Sequence, residues 1–159
     1  MTLRFGILTL SDRSSRGERP DSSGPALARL IEAENWSVAK QALLPDKESA
    51  IRKILSEWAD EGKVDVILTT GGTGFSPRDL TLEAVGPLLD RPVEGFGELF
   101  RMLSFQEIGS AAMLSRAVAG VTRDGLLVFA MPGSPAAVKL ACERLVLPEL
   151  GHLIEELSR

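Results

Sequence analysis

The chain has 159 residues, a single cysteine and a formal charge of −4, with acidic and basic groups interspersed. Such a length suits one domain, here spanning 1–159, that buries roughly two-thirds of the surface its unfolded chain exposes. The lone cysteine excludes a disulfide framework and points to a reduced compartment, and the lack of any lysine or arginine block disfavours a nucleic-acid surface. No uncharged apolar run approaches the ~20 residues that a membrane span needs. Met1-Thr2-Leu3-Arg4 leads directly into a strand, without the basic and apolar regions of a secretion signal. A soluble cytoplasmic protein is expected.

Phe5, Ile7, Leu8 and Leu10 form a first apolar strand, which ends in the long polar loop 11–21. Ser11 and Asp12 leave the strand's carboxyl end and are candidate ligand contacts, although a solvated connection accounts for them too. Ser22 or Ser23 can cap a helix carrying Pro25, Leu27, Leu30 and Ile31. Trp36, Val38, Ala42 and Leu43 indicate a second strand ending at Leu44-Pro45-Asp46. Asp46 then reads as the cap of a helix with Ile51, Ile54, Leu55 and Trp58, stopped by Gly62. The same carboxylate at a strand's end can instead face a ligand crevice and hold a divalent metal.

The chain is organised around 64–81. Val64, Val66, Ile67 and Leu68 read as a strand buried on both faces in a parallel sheet, followed by Thr69-Thr70-Gly71-Gly72-Thr73-Gly74 and a helix. Ligands of open α/β sheets bind at this edge. Glycines at 71, 72 and 74 let a ligand approach the main chain, and Thr70 and Thr73 add hydroxyls. Such a loop suits an anion, yet it matches neither the dinucleotide fingerprint nor a P-loop. A plain turn would also use glycine, but Arg78-Asp79 adds charge that a plain turn does not need.

Thr81 is expected to cap a helix running to Leu89 that Gly86-Pro87 shortens or bends. The stretch 94–105 holds more large apolar groups than one helix face needs, so part of it is expected at a subunit interface. Ala117–Val121 and Leu126–Met131 form a hairpin through Asp124-Gly125, which places one strand against the parallel sheet. Pro132, Gly133 and Ser134 make a second glycine turn opening a helix. Pro148 is expected to break that helix before a last amphipathic segment. His152, the only histidine, lies on that segment far from the glycine loops, and Cys142 reads as a buried structural thiol.

At Thr69-Thr70-Gly71-Gly72-Thr73-Gly74, Arg78-Asp79-Leu80-Thr81 and Met131-Pro132-Gly133-Ser134-Pro135, the sequence resembles the MogA/MoaB family of molybdenum-cofactor biosynthesis. Ile7–Arg13 also fits. Val93–Phe105 and Ser115–Gly120 look closer to the MoaB branch, and Leu82 departs from the proline that many relatives carry there. The resemblance implies a three-layer α/β/α sandwich with a mostly parallel sheet and one antiparallel strand. It also implies molybdopterin binding and, in active members, AMP transfer from ATP to molybdopterin with Mg²⁺ assisting. On that basis Asp46 and Asp79 are the expected catalytic and metal-holding residues. Ser11, Asp12, Thr70, Gly71, Gly72, Thr73, Gly74, Arg78, Pro132, Gly133 and Ser134 would bind phosphate, nucleotide or pterin, with Glu98 and Ser104 as further pterin contacts. A trimer or dimer of trimers is implied, as are contacts with other proteins of the pathway. A non-catalytic molybdopterin carrier and a generic nucleotide-binding regulator are the alternative functions.

Overall fold

The computed structural model describes Met1–Arg159. Six strands form one sheet: β1 (Arg4–Leu10), β2 (Ser37–Leu44), β3 (Val66–Thr70), β4 (Leu89–Pro92), β5 (Val118–Thr122) and β6 (Leu127–Met131). Their order is β2-β1-β3-β6-β5-β4. The pairs β1–β2, β1–β3 and β3–β6 are parallel, whereas β5 runs against both of its neighbours. One antiparallel strand in a mostly parallel sheet is the expected arrangement.

Side-chain alternation along β1 explains the layers. Phe5 and Ile7 point to one face, where they meet Leu27 and Ile31 of α2 (Ser23–Ala33), Phe96 and Phe100 of α5 (Glu94–Ile108), and Val138 of α6 (Pro135–Ala141). Leu150 of α7 (Leu147–Ser158) completes that layer. Leu8 and Leu10 point to the other face, against Ile51, Leu55 and Trp58 of α3 (Glu48–Glu61) and Ala84 and Val85 of α4 (Thr81–Val85). A short turn of helix, α1 (Asp12–Ser15), follows β1. The molecule is therefore a three-layer α/β/α sandwich. No helix is long and apolar enough to cross a membrane.

Several boundaries differ from the sequence-based expectation. Neither Ser22 nor Ser23 caps α2 through its side chain; Asp21 does, its Oδ1 accepting from the Gly24 amide at 3.0 Å. The helix expected to reach Leu89 stops at Val85, and Gly86–Leu88 is a single tight turn. Leu89–Pro92 is then an edge strand, hidden from pattern reading by Asp90, Arg91 and Pro92, which an edge tolerates. Pro148 does not break the helix. A widened turn over Cys142–Val146 joins α6 to α7, and Pro148 sits in the first turn of α7, where its missing N–H costs little.

Gly6 sets how closely β1 and α3 approach, because a β-carbon there would stand 2.7 Å from the Trp58 ring. Gly6→Ala is expected to lower unfolding free energy by about 1–3 kcal/mol through overpacking and to shift Trp58 fluorescence. Urea titration followed by fluorescence measures both, and an unchanged midpoint contradicts the packing account.

Candidate active site

Because β1, β2, β3 and β6 are parallel, their carboxyl ends share one edge of the sheet. The chain passes from β1 to β2 on one side and places β3 on the other, so the loops above β1 and β3 part and leave a crevice. Loops 11–22, 45–47, 71–80 and 132–134 converge there around a cavity of about 510 Å³.

Carboxylates join successive loops through main-chain amides. Asp12 Oδ1 accepts from the Asp46 amide at 2.9 Å, and Asp46 Oδ1 accepts from the Leu80 amide at 3.2 Å. Asp79 Oδ2 accepts from the Ser76 amide at 2.9 Å, which closes the turn within its own loop. Asp46 thus faces the crevice. The helix-cap role that its position also suggested is not taken: Lys47 is the cap residue of α3, and no side chain completes that cap.

Two glycines make this convergence possible. Gly71 has φ +105° and Gly72 φ +69°, a region that other residues enter only with strain. A β-carbon at Gly71 would collide with the Leu10 carbonyl, and one at Gly72 with the Asp46 carboxylate and the Thr81 hydroxyl. Thr81 is fully buried and serves the loop rather than capping α4: its hydroxyl donates to the Gly71 carbonyl at 2.7 Å and its amide to the Gly72 carbonyl at 3.2 Å. On the other side the Gly71 amide donates to the Met131 carbonyl at 2.9 Å and the Thr70 hydroxyl to the Pro132 carbonyl at 2.8 Å. The two glycine turns are thereby fastened together. Ser11 and Ser134 cap the helices that leave the crevice, accepting from Ser14 and Ala137.

The electrostatics are unbalanced towards negative charge. Burial pushes the Asp46 carboxyl up to about 6, the Leu80 amide pulls the other way, and Asp79, Asp12 and Glu83 add like-charge repulsion. A cation near this carboxylate relieves both burdens. No three metal-binding side chains meet in one place. Two carboxylates fit instead an ion such as Mg²⁺, which keeps several waters and shares phosphate oxygens. Arg19 and Arg78 line the same cavity and add positive charge to its wall.

Ser11, Asp12, Asp46, Gly71, Gly72, Thr73, Gly74, Arg78, Asp79, Ser104, Pro132, Gly133 and Ser134 all line the cavity. Thr70 lines a smaller adjoining one of about 270 Å³. Glu98 lines neither: it is exposed on α5, about 120° around the helix from Ser104. Pattern reading passed over Arg19, one charge among several in loop 11–21, and the wall formed by Ala111, Leu114 and Ser115. The two-turn 3-10 helix at Gly109–Leu114 that carries most of this wall has no periodic signal. Cys142 is buried and its thiol is pushed up to about 12 by desolvation, so it takes no part. His152 is exposed on α7 beside Glu149 and Glu156, remote from the crevice.

Fold and site together define an α/β protein with a glycine-lined crevice at the switch point of a mostly parallel sheet. The family described as "probable molybdopterin binding domain" matches residues 6–152. The chain is 49% identical to molybdenum cofactor biosynthesis protein B of Halalkalibacterium halodurans over 99% of its own length and 92% of the relative's. A crystal structure of a molybdenum cofactor biosynthesis protein B superimposes with a TM-score of 0.92 at 46% identity, covering 100% of this chain and 98% of the other. The tungsten cofactor synthesizing protein MoaB from Pyrococcus furiosus follows at 0.91 and 37%, over 99% and 98%. The chain belongs to the MogA/MoaB family of molybdenum-cofactor biosynthesis and is closely related to its MoaB branch.

The raised Asp46 carboxyl fixes the sign of a pH effect. The folded protein holds this proton more tightly than the unfolded chain, so the residue is neutral in cost at low pH and destabilises as pH rises through about 6. Asp46→Asn keeps an oxygen to accept from Leu80 and removes the charge. In EDTA the variant is expected to melt higher than wild type at pH 7–8, with the difference vanishing towards pH 4. Thermal melts across that range test it, and a lower melting temperature for the variant at pH 8 contradicts it.

Proposed function

We propose that the chain is a molybdopterin adenylyltransferase of molybdenum-cofactor biosynthesis, and that the whole span 1–159 forms its molybdopterin-binding unit in the cytoplasm. The observation that supports this most is the placement of Asp46 and Asp79 from consecutive loops on a cavity that also receives two glycine turns. In the reaction, a terminal phosphate oxygen of molybdopterin bonds to the α-phosphorus of ATP. The bond from that phosphorus to the bridging oxygen breaks, and pyrophosphate departs with the electron pair.

A phosphate monoester is mostly dianionic near neutral pH, its second pKa being about 6, so the nucleophile needs no strong base. That agrees with a crevice lined by carboxylates, hydroxyls and main chain, and with a distant histidine. What the chain must contribute is alignment of two anionic substrates and relief of their repulsion. Gly71–Gly74 and Pro132–Ser134 present main-chain groups to phosphates, and Arg78 and Arg19 add positive charge. Ser11, Asp12, Thr70 and Ser104 bound the space for nucleotide and pterin. Asp46 and Asp79 would hold Mg²⁺, which when bound neutralises phosphate oxygens and eases departure of pyrophosphate.

The outer face of α5 supports assembly into a trimer or dimer of trimers. Leu99, Met102, Phe105 and Ile108 are each roughly half exposed or more, and Met113 and Leu114 extend the patch. Replacing both Met102 and Phe105 with Glu is expected to give monomers by light scattering. A monomeric wild type, or an unchanged mass in the variant, removes that surface as the interface.

Incubation of purified protein with molybdopterin, ATP and Mg²⁺ tests the activity. Adenylylated molybdopterin and pyrophosphate are expected; retention of the pterin without product identifies a carrier instead, and ATP binding without pterin preference a nucleotide-binding regulator. Asp46→Asn and Asp79→Asn are each expected to lower turnover about 100-fold or more while molybdopterin binding persists. Wild-type turnover in either variant removes that residue from the metal role.

A further inference from the structure

The segment after the wall of Ala111, Leu114 and Ser115 leads to Arg116, whose guanidinium is turned away from the cavity and into the glycine loop. Its Nε donates to the Gly74 carbonyl at 2.9 Å and its Nη2 to the Asp79 carbonyl at 3.1 Å. Glu83 pairs with Nη1 at 2.6 Å, and the Arg116 amide donates to the Thr73 carbonyl at 3.1 Å. The guanidinium also lies over the exposed Phe75 ring, 5.3 Å from its centroid. Gly74 and Asp79 are the two ends of the excursion 75–78, whose residues are all exposed. One planar cation therefore joins the two ends of this exposed loop, whose other ties are internal: Asp79 Oδ2 accepts from the Ser76 amide and the Asp79 amide donates to the Ser76 carbonyl, each at 2.9 Å.

We propose that Arg116 is a positioning residue for the active-site loop: by bridging the main chain at Gly74 and Asp79 it fixes the turn from which the Asp79 carboxylate reaches the crevice. The inference rests on the functional reading above only for its catalytic consequence; the bridge itself is a statement about the loop. Forked geometry is required, because two carbonyls and a carboxylate are met from different edges of one plane. A lysine ammonium offers a point charge that can satisfy Glu83 without bridging the turn. The contact also makes the cavity wall and the metal-holding loop one mechanical unit, since Ser115 lines the cavity and Arg116 holds the loop.

Limited trypsin digestion of the full chain, read by mass spectrometry, tests the bridge without any ligand. Arg78 lies at the exposed end of the excursion, and Arg123 in the turn between β5 and β6 is an exposed site that Arg116 does not touch. In Arg116→Gln and in Arg116→Lys, cleavage after Arg78 is expected to accelerate about ten-fold or more, the factor for losing one charge-assisted hydrogen bond from the closed loop. Cleavage after Arg123 should keep its wild-type rate. A core variant such as Leu150→Ala separates loop release from general destabilisation, because global unfolding accelerates both sites together. In the adenylylation assay both Arg116 variants should need about ten-fold more Mg²⁺ for half-maximal rate, with the KM for molybdopterin little changed. Wild-type cleavage after Arg78, or restoration of both readouts by Lys, overturns the proposal. If wild-type protein forms no adenylylated product, the catalytic reading fails while the digestion still decides the role of Arg116.

Discussion

The hydrogen bond from the Leu80 amide to Asp46 is the contact on which the site depends. Asp46 leaves the second strand and Leu80 closes the loop after the third, so this one acceptor sets the distance between two elements that lie on opposite sides of β1. Asp12 extends the chain of contacts back to the first loop by accepting from Asp46. Each carboxylate uses one oxygen to hold a neighbouring loop and keeps the other free. The result is a floor that is rigid in its main chain and rich in unpaired negative charge. Half-burial and like-charge neighbours make Asp46 a reluctant anion, and that tension is what the proposed divalent cation would remove.

The sheet supplies the geometry without which these contacts could not form. Parallel strands put all of their outgoing loops on one edge, and the reversal of direction about β1 separates those loops just enough to admit a ligand. Gly71 and Gly72 then let the third loop bend back over the strand ends, with Asp46 resting where a side chain on Gly72 would otherwise stand. Thr81 and Thr70 act as internal rivets, each using a buried hydroxyl to satisfy a carbonyl that the sharp turns leave free. The phosphate binding proposed for the crevice draws on the same turns, because glycines at 71, 72, 74 and 133 leave main chain uncovered along its lining.

Much of this was legible in the residues themselves. The uninterrupted Val66–Leu68 run announced a central parallel strand, Asp124-Gly125 announced the hairpin, and Gly62 marked the end of a helix, because each depends on local chemistry. The crevice was legible as the meeting place of two glycine turns at strand ends. Asp46 was not: its position before a helix is equally that of a cap, and only the Leu80 amide, 34 residues away, decides between the roles. Thr81 misled for the same reason. Arg116 and the β4 edge strand were invisible, since their partners come from distant segments and no periodicity announces them. Local rules located the loops, and long-range hydrogen bonds assigned the side chains.

The most direct measurement of the central claim is a crystal structure with Mn²⁺ in place of Mg²⁺ and a non-hydrolysable ATP analogue, read by anomalous scattering. The account predicts a peak within about 2.0–2.3 Å of a carboxylate oxygen from both Asp46 and Asp79, with phosphate oxygens completing the shell. A metal bound by the nucleotide alone, or seated elsewhere with neither carboxylate in contact, would contradict it.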